Sequence, residues 1–290
     1  MSTAAADIVE RTPAELDAFE CILALVCERT GTDFRRYRRS TVTRRVLNRM
    51  ISVGASTFAD YLALLRDHEP ESAQLLQRVT IKVSRFYRNR EVFDVLRERV
   101  IPALARERAG KPLRIWSAGC GYGEEPYTLA MLLDEAGVAG SIHATDIDRV
   151  ALEGARSARY SNSALEELPV ELRTRYMCSL SGADVVCEAV RNRVEFSYGD
   201  LTGLPADESR EFDLICCRNV LIYLAHDVQR QILRSLVARL RPRGYLCLGE
   251  AEWPAASVAV GLEPLGHKTR IFHLPPASSA GSIRFGDILQ

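Results

Sequence analysis

At Leu113 the hydrophobic pattern of this 290-residue chain changes period, and that change dictates a fold in two parts. Upstream the apolar residues recur at helical spacing. Thr12-Pro13-Ala14-Glu15 opens a first helix with a capping threonine, a first-turn proline and a glutamate three residues on. Leu16, Phe19, Leu23 and Val26 then mark its inner face. The same spacing predicts helices over Thr41–Ile51, Thr57–Arg66, Glu71–Lys82 and Arg90–Arg108, the last running into Gly110-Lys111-Pro112. Downstream, short apolar runs alternate with helical stretches. Leu113–Ala118, Ser141–Ala144, Arg193–Tyr198, Phe212–Cys217, Gly244–Gly249 and Thr269–Leu274 read as strands, with helices over Glu124–Glu135 and Val228–Leu240. Such alternation implies an α/β fold, a doubly wound and mostly parallel sheet. The expected division is a helical domain over 1–89, a linker helix over 90–112, an α/β domain over 113–275 and a loose, flexible tail over 276–290.

Several functional classes fall away at once. No stretch reaches the roughly 20 apolar residues that span a bilayer, so no membrane insertion is expected. The N-terminus carries acids early and has no apolar core of a signal peptide. Eight cysteines are scattered without a C-x-x-C pair or histidines at zinc spacing, which points to buried thiols in a reducing, cytoplasmic setting and to no metal. Charge is balanced at 38 basic and 38 acidic residues, yet residues 1–112 hold 20 Lys/Arg against 15 Asp/Glu. Arg38, Arg44, Arg45 and Arg49 belong to a crowded basic run there, which is either a solvated helix face or a docking surface for an acidic partner. Nucleic acid is not the expected partner, since only Tyr37 interleaves as a stacking aromatic.

Ligands of a doubly wound sheet bind beyond the carboxyl ends of its strands. Gly119-Cys-Gly-Tyr-Gly123 lies at such an end, where glycines let the backbone turn and approach a ligand. Nucleotide and S-adenosylmethionine (SAM) sites share a loop of this kind. Here it continues into Glu124-Glu125, which would repel a pyrophosphate but suits the sulfonium and ammonium of SAM. Asp146 closes the second strand, at an expected solvent-lined position where a carboxylate accepts ribose hydroxyls. Asp200 follows the next strand, either meeting the adenine amino group or opening a turn. Arg218 and Asn219 end the apolar run Phe212–Cys217, with Tyr223 shortly after, and polar residues so placed are poor core filler.

Four motifs now stand in order. WSAGCGYGEEPYTLAM (116–131), ATDIDRVALEGARSARY (144–160), CRNVLIYL (217–224) and SRFYR (84–88) closely resemble those of CheR-type chemotaxis receptor methyltransferases, as does DFRRYRRSTVTRRVLNRM (33–50). The resemblance covers roughly residues 20–275. It implies an all-α N-terminal domain, a SAM-binding α/β domain and a small antiparallel β-subdomain at about 175–190. It also implies methyl transfer from SAM to glutamate side chains of a chemoreceptor, giving a glutamyl methyl ester and S-adenosylhomocysteine (SAH). By motif the cofactor contacts fall on Lys82, Ser84, Arg88, Gly119, Glu125, Asp146, Asp200, Leu201, Cys217 and Arg218. Arg88 and Tyr223 match the residues that line methyl transfer. The chain departs from the family in Lys82 for an asparagine, Ser84 for a threonine, Asp200 for an asparagine, and Cys120 and Tyr122 in the glycine loop.

The partner implied is the cytoplasmic domain of a methyl-accepting receptor. Some members tether to a pentapeptide at the receptor C-terminus by adding it as a strand to the β-subdomain. The matching segment Arg175–Cys187 is short, with the single glycine Gly182, and so predicts recognition without that tether, through the basic helical domain. A SAM- or SAH-binding scaffold without turnover, and a methyltransferase of another substrate, remain open at this stage. Oligomeric state is not legible.

Overall fold

The computed structural model describes residues 12–80, 84–180, 182–204, 211–254, 261–266 and 268–276. The chain divides into two compact units, residues 1–82 with 223–225, and residues 83–222 with 226–290.

The first unit is helical: α1 Pro13–Thr30, α2 Arg39–Val53, α3 Phe58–Asp67 and α4 Pro70–Val79. Thr12 caps α1 by accepting from the Glu15 N–H, and Gly31 closes it in the left-handed region at φ 75°. At α3 the Thr57 hydroxyl accepts from the Asp60 N–H and the Asp60 carboxylate from the Thr57 N–H, both at 3.0 Å. Phe19, Ile22, Leu23 and Val26 of α1 pack into one core with Phe34, Val46, Phe58, Tyr61 and Leu75. Leu16, which shares their spacing, lies in the overhanging first turn and is 48% exposed. The last helix stops at Val79, earlier than the pattern predicts, and the Thr80 hydroxyl donates back to the Leu76 carbonyl.

The second unit begins with α5 Arg90–Val95, a π-helical stretch Leu96–Val100 and α6 Ile101–Glu107, where one uninterrupted helix was predicted. Pro102 has no N–H to donate to the preceding turn, and the helix widens just before it. Then follow β1 Leu113–Ala118, α7 Glu124–Glu135, β2 Gly140–Asp146, α8 Arg149–Ser157, β3 Arg159–Tyr160, α9 Val170–Tyr176, β4 Met177–Leu180, β5 Ala183–Val186, α10 Glu188–Arg191, β6 Val194–Tyr198, β7 Phe212–Cys217, α11 His226–Arg239, β8 Leu240–Leu248, β9 Glu263–Pro264 and β10 Ile271–His273. Among the described residues seven strands form one sheet in the order β6-β2-β1-β7-β8-β10-β9. Its first five strands are parallel, and β10 and β9 return antiparallel. The sheet is therefore mostly parallel, with helices between its strands. Leu113, Ile115, Ile142, Leu214, Cys216 and Cys247 supply one sheet face of the main core.

The order reverses between β2 and β7 about β1, so the carboxyl ends of β1 and β7 flank a crevice. A second sheet, β3-β5-β4, is antiparallel, and β4 to β5 is a tight hairpin with Leu180 opposite Ala183 and Gly182 at φ 77°. Among the described residues no helix is long and apolar enough to cross a membrane.

Candidate active site

Three glycines shape the loop after β1. Gly119, Gly121 and Gly123 have φ of 81°, 55° and 95°, in the region that side chains with a Cβ avoid. Space forbids a side chain as well: a Cβ on Gly119 would stand 2.3 Å from Val220 Cγ2, and one on Gly123 2.9 Å from the Tyr160 hydroxyl. Thr145, the penultimate residue of β2, accepts from both the Gly119 and Cys120 N–H groups. Tyr122 is 38% exposed, and its ring rests where a Cβ on Gly154 of α8 would lie, at 2.8 Å.

Asp146 differs from expectation. Its carboxylate is nearly buried instead of solvent-lined, with one oxygen accepting from the Gly121 N–H at 2.8 Å and the other from the Asp148 N–H at 2.9 Å. It anchors the glycine loop. Asp148 in turn caps α8 through the Val150 and Ala151 N–H groups.

At the start of α7 two carboxylates diverge. Glu125 accepts from the Ser117 hydroxyl at 2.7 Å and from Arg218 at 3.2 Å. The Arg218 guanidinium, 3% exposed, also donates to the Arg88 carbonyl at 2.8 Å and to Asn89 Oδ1 at 2.7 Å, and lies over the Phe93 ring. Its Nε, however, is buried with no hydrogen-bond partner among the described residues. Glu124 is its counterpart. This side chain is buried and bonded to Ser84, while its Oε2 has no partner among the described residues. Burial pushes the Glu124 carboxyl above its ordinary value. An orphan donor at the end of β7 and an orphan acceptor at the start of α7 therefore stand among the residues of this site, and Arg45 and Arg108 also bury an Nε without a hydrogen-bond partner among the described residues. The α-amino-acid end of SAM, with an ammonium and a carboxylate, has the complementary chemistry, so the donor set fits that cofactor.

Residues 82–257 match the family described as CheR methyltransferase, SAM binding domain, and residues 17–80 the family described as CheR methyltransferase, all-alpha domain. The chain belongs to the CheR methyltransferase family. The chemotaxis protein methyltransferase of Listeria monocytogenes is 32% identical over 241 residues, covering 82% of this chain and 90% of its own. That of Escherichia coli K12 is 34% identical over 244 residues, covering 81% and 83%. Chemotaxis protein methyltransferase 2 of Pseudomonas aeruginosa is 35% identical over 234 residues, covering 77% and 81%. The chain is thus a SAM-dependent methyltransferase.

Hydrogen bonds of this CheR methyltransferase join Ser84 to Glu124 and, through Arg218, Glu125 to the Arg88 carbonyl, and they tie Gly119 to Thr145 and Asp146 to Gly121. Cys217 lies one residue before Arg218, and the whole residue is buried. Asp200 caps the turn Leu201–Gly203, accepting from the Thr202 N–H at 2.8 Å and hydroxyl at 2.9 Å, and Leu201 is buried beside it. Lys82 lies outside the described residues. Tyr223 is half-buried and groups with the helical unit, where its carbonyl accepts from the Arg38 N–H at 2.8 Å.

The proposed docking arginines separate into kinds. Arg44 is exposed, and Arg38 is exposed with its Nε donating to the Leu224 carbonyl. Arg45 is half-buried, and its Nε has no hydrogen-bond partner among the described residues. Arg49 is committed inward: it grips Glu71 at 2.7 and 2.6 Å, and the Tyr61 hydroxyl donates to the same carboxylate at 2.7 Å. Burial alone would raise the Glu71 carboxyl, yet Arg49 and Tyr61 hold it below its ordinary value. Sequence reasoning paired Glu124 with Glu125 as suited to a cationic ligand but left it out of the motif contacts, and it passed over Glu71 and Asn89. Glu124 carries a readable signal, since two carboxylates at one helix start exceed what the dipole needs.

Proposed function

We propose that this chain methylates glutamate side chains in the cytoplasmic domain of a methyl-accepting chemoreceptor, releasing glutamyl methyl ester and SAH. The observation that carries the chemistry is the pair of buried orphans, Arg218 Nε at the end of β7 and Glu124 Oε2 at the start of α7. The names of the relatives, chemotaxis protein methyltransferases matching about four-fifths of the chain, support the receptor as acceptor. The enzyme then works in the cytoplasm.

Bound SAM supplies a methyl group on positively charged sulfur. The residues of the chain do the rest by placement. Glu124 and Glu125 accept from the cofactor ammonium, Arg218 and Arg88 hold its carboxylate, and Ser84 and Lys82 complete that end. Asp146 accepts from the ribose hydroxyls, while Asp200, Leu201 and the Cys217 main chain bound the adenine. The acceptor glutamate is already ionised near neutral pH, so alignment and not proton removal sets the rate. Tyr223 donates a hydrogen bond that aims the attacking oxygen. Tyr223→Phe accordingly lowers turnover about tenfold while SAH affinity by calorimetry stays put. Equal losses in both would make Tyr223 a cofactor contact.

Residues 1–89 serve as the docking domain, with Arg38, Arg44 and Arg45 facing an acidic receptor helix. No pentapeptide tether is needed: the edge strand β4 has four residues, and its tight hairpin supports little strand addition. Incubation with tritiated SAM and candidate receptor cytoplasmic domains tests the whole reading. Base-labile methanol release is the expected result, including from receptors without the tail. Label that resists base would remove the glutamate assignment.

A further inference from the structure

One buried carboxylate beside the site is unused in that reading. Glu252, 4% exposed, follows β8 by four residues. Its Oε2 accepts from the Gly249 N–H at 2.7 Å and the Asn219 N–H at 3.0 Å, and its Oε1 from the Ile222 N–H at 3.3 Å. The Leu221 N–H donates to it as well. Three of these four donors belong to the turn that follows Arg218. That turn leaves β7 with Asn219 at φ 60°, a conformation few residues other than glycine adopt. One carboxylate thus supplies acceptors that no strand ladder provides.

The fit leaves no slack. A Cβ on Gly249 would lie 2.6 Å from Glu252 Oε2 and 2.7 Å from the Asn219 nitrogen. Arg218 is the peptide neighbour of Asn219, and its guanidinium joins Glu125, the Arg88 carbonyl and Asn89. Any displacement of the Asn219 peptide therefore moves the root of that guanidinium. Glu252 itself stands 34 residues from Arg218 in sequence and touches none of the proposed cofactor-holding side chains through a hydrogen bond given above.

We propose that Glu252 is a positioning residue for methyl transfer: by holding the Asn219, Leu221 and Ile222 N–H groups it fixes the turn that aims Arg218 into the cofactor site. The inference rests on the reading in which Arg218 holds the cofactor. Full-length protein, Glu252→Gln, Arg218→Lys and the double variant are titrated with SAH by calorimetry. The Arg218 Nε–H resonance is followed in the same titrations.

Glu252→Gln keeps the shape but turns one acceptor into a donor facing N–H groups. It should raise the SAH Kd about tenfold. In the Arg218→Lys background the same change should add little, because both act through one guanidinium. The SAH-induced shift of the Arg218 Nε–H signal should also disappear in Glu252→Gln. A carboxylate that merely closes the end of β8 would leave that signal responsive and give additive losses, and either result overturns the proposal. Gly249→Ala presses on the same contact from the other side. It must reproduce the effect should Glu252→Gln fold poorly; SAH binding equal to the parent in Gly249→Ala would refute the idea. A parent protein that does not bind SAH would sink the reading of the site and this inference together, whereas a binding parent with an indifferent Glu252→Gln sinks this inference alone.

Discussion

Each unit of the molecule buries an arginine against a glutamate, and the two pairs differ in completeness. In the helical unit Arg49 meets Glu71 through two short bonds, and the Tyr61 hydroxyl joins the same carboxylate. In the α/β unit Arg218 meets Glu125 through one longer bond and keeps Nε unpartnered, while Glu124 beside it keeps Oε2 unpartnered among the described residues. A closed pair of this sort holds helices together, and the open one leaves the donor and acceptor that the proposed cofactor contacts use. Burial alone does not separate the two cases, since both arginines are largely enclosed. The hydrogen bonds each pair leaves unmade distinguish these two, although an unpartnered Nε also occurs on Arg45 and Arg108 among the described residues.

The largest expected effect breaks the closed pair. Arg49→Met strands a buried carboxylate and should cost about 3–5 kcal/mol of stability in denaturant unfolding, with SAH affinity unchanged in the folded fraction. The pH dependence sharpens this. The Glu71 carboxyl is held below its ordinary 4.5, so its contribution is intact above that value and drains away as pH falls through the lowered one. In Arg49→Met the same buried carboxyl loses its counter-charge and is pushed up instead, so the slope it imposes on stability near pH 5 should reverse. A variant whose acid limb matched the parent's would mean that the pair is not what holds α2 to α4.

Asp146→Ala comes next. Loss of a charge-assisted contact to ribose should weaken SAH binding by roughly 2–4 kcal/mol in calorimetry. Because Asp146 also anchors the Gly121 N–H, the unfolding midpoint should drop too, though by less than for Arg49→Met. A well-folded variant with parental affinity would remove Asp146 from the cofactor site.

Arg218→Lys should weaken SAH binding by about 1.5–3 kcal/mol and disturb stability less than Arg49→Met does. Equal damage to stability would erase the distinction between open and closed pairs. Smallest of all, Arg44→Glu with Arg45→Glu should raise the receptor KM several-fold at low salt and flatten its salt dependence. Methylation rates matching the parent's across a salt series would return both arginines to the status of a solvated face.

Much of the α/β unit was legible because its signals are local. The predicted ranges Leu113–Ala118, Glu124–Glu135 and Phe212–Cys217 coincide with β1, α7 and β7, each bounded by a glycine turn or a polar break. Local signals that went unused also exist: Asp148 followed by Val150, Ala151, Leu152 and Ala155 marks the start and inner face of α8. Strands of two to four residues such as β3, β4 and β5 are too short to show a period. A pairing lies within reach of the sequence where one motif holds both members, as with Ser117 and Glu125, although only Glu125 was singled out. It was illegible where partners lie far apart, as with Arg49 and Glu71 or Glu252 and Asn219, since no pattern along the chain links residues that only tertiary packing joins.

Helix α8 carries a glycine at 154 in an ordinary helical turn, and a glycine there is worth about 1 kcal/mol less than alanine. The Tyr122 ring occupies the place a methyl group would take. The two positions are therefore sterically coupled. With tyrosine in the glycine loop, Gly154→Ala drives a methyl group into the ring and pushes the loop away; with a threonine-sized residue at 122, the same change stiffens the helix and raises stability. The order of the two changes therefore matters: alanine at 154 gains its helical stability only once residue 122 is small, so the path through the small residue is open and the path through the alanine is obstructed.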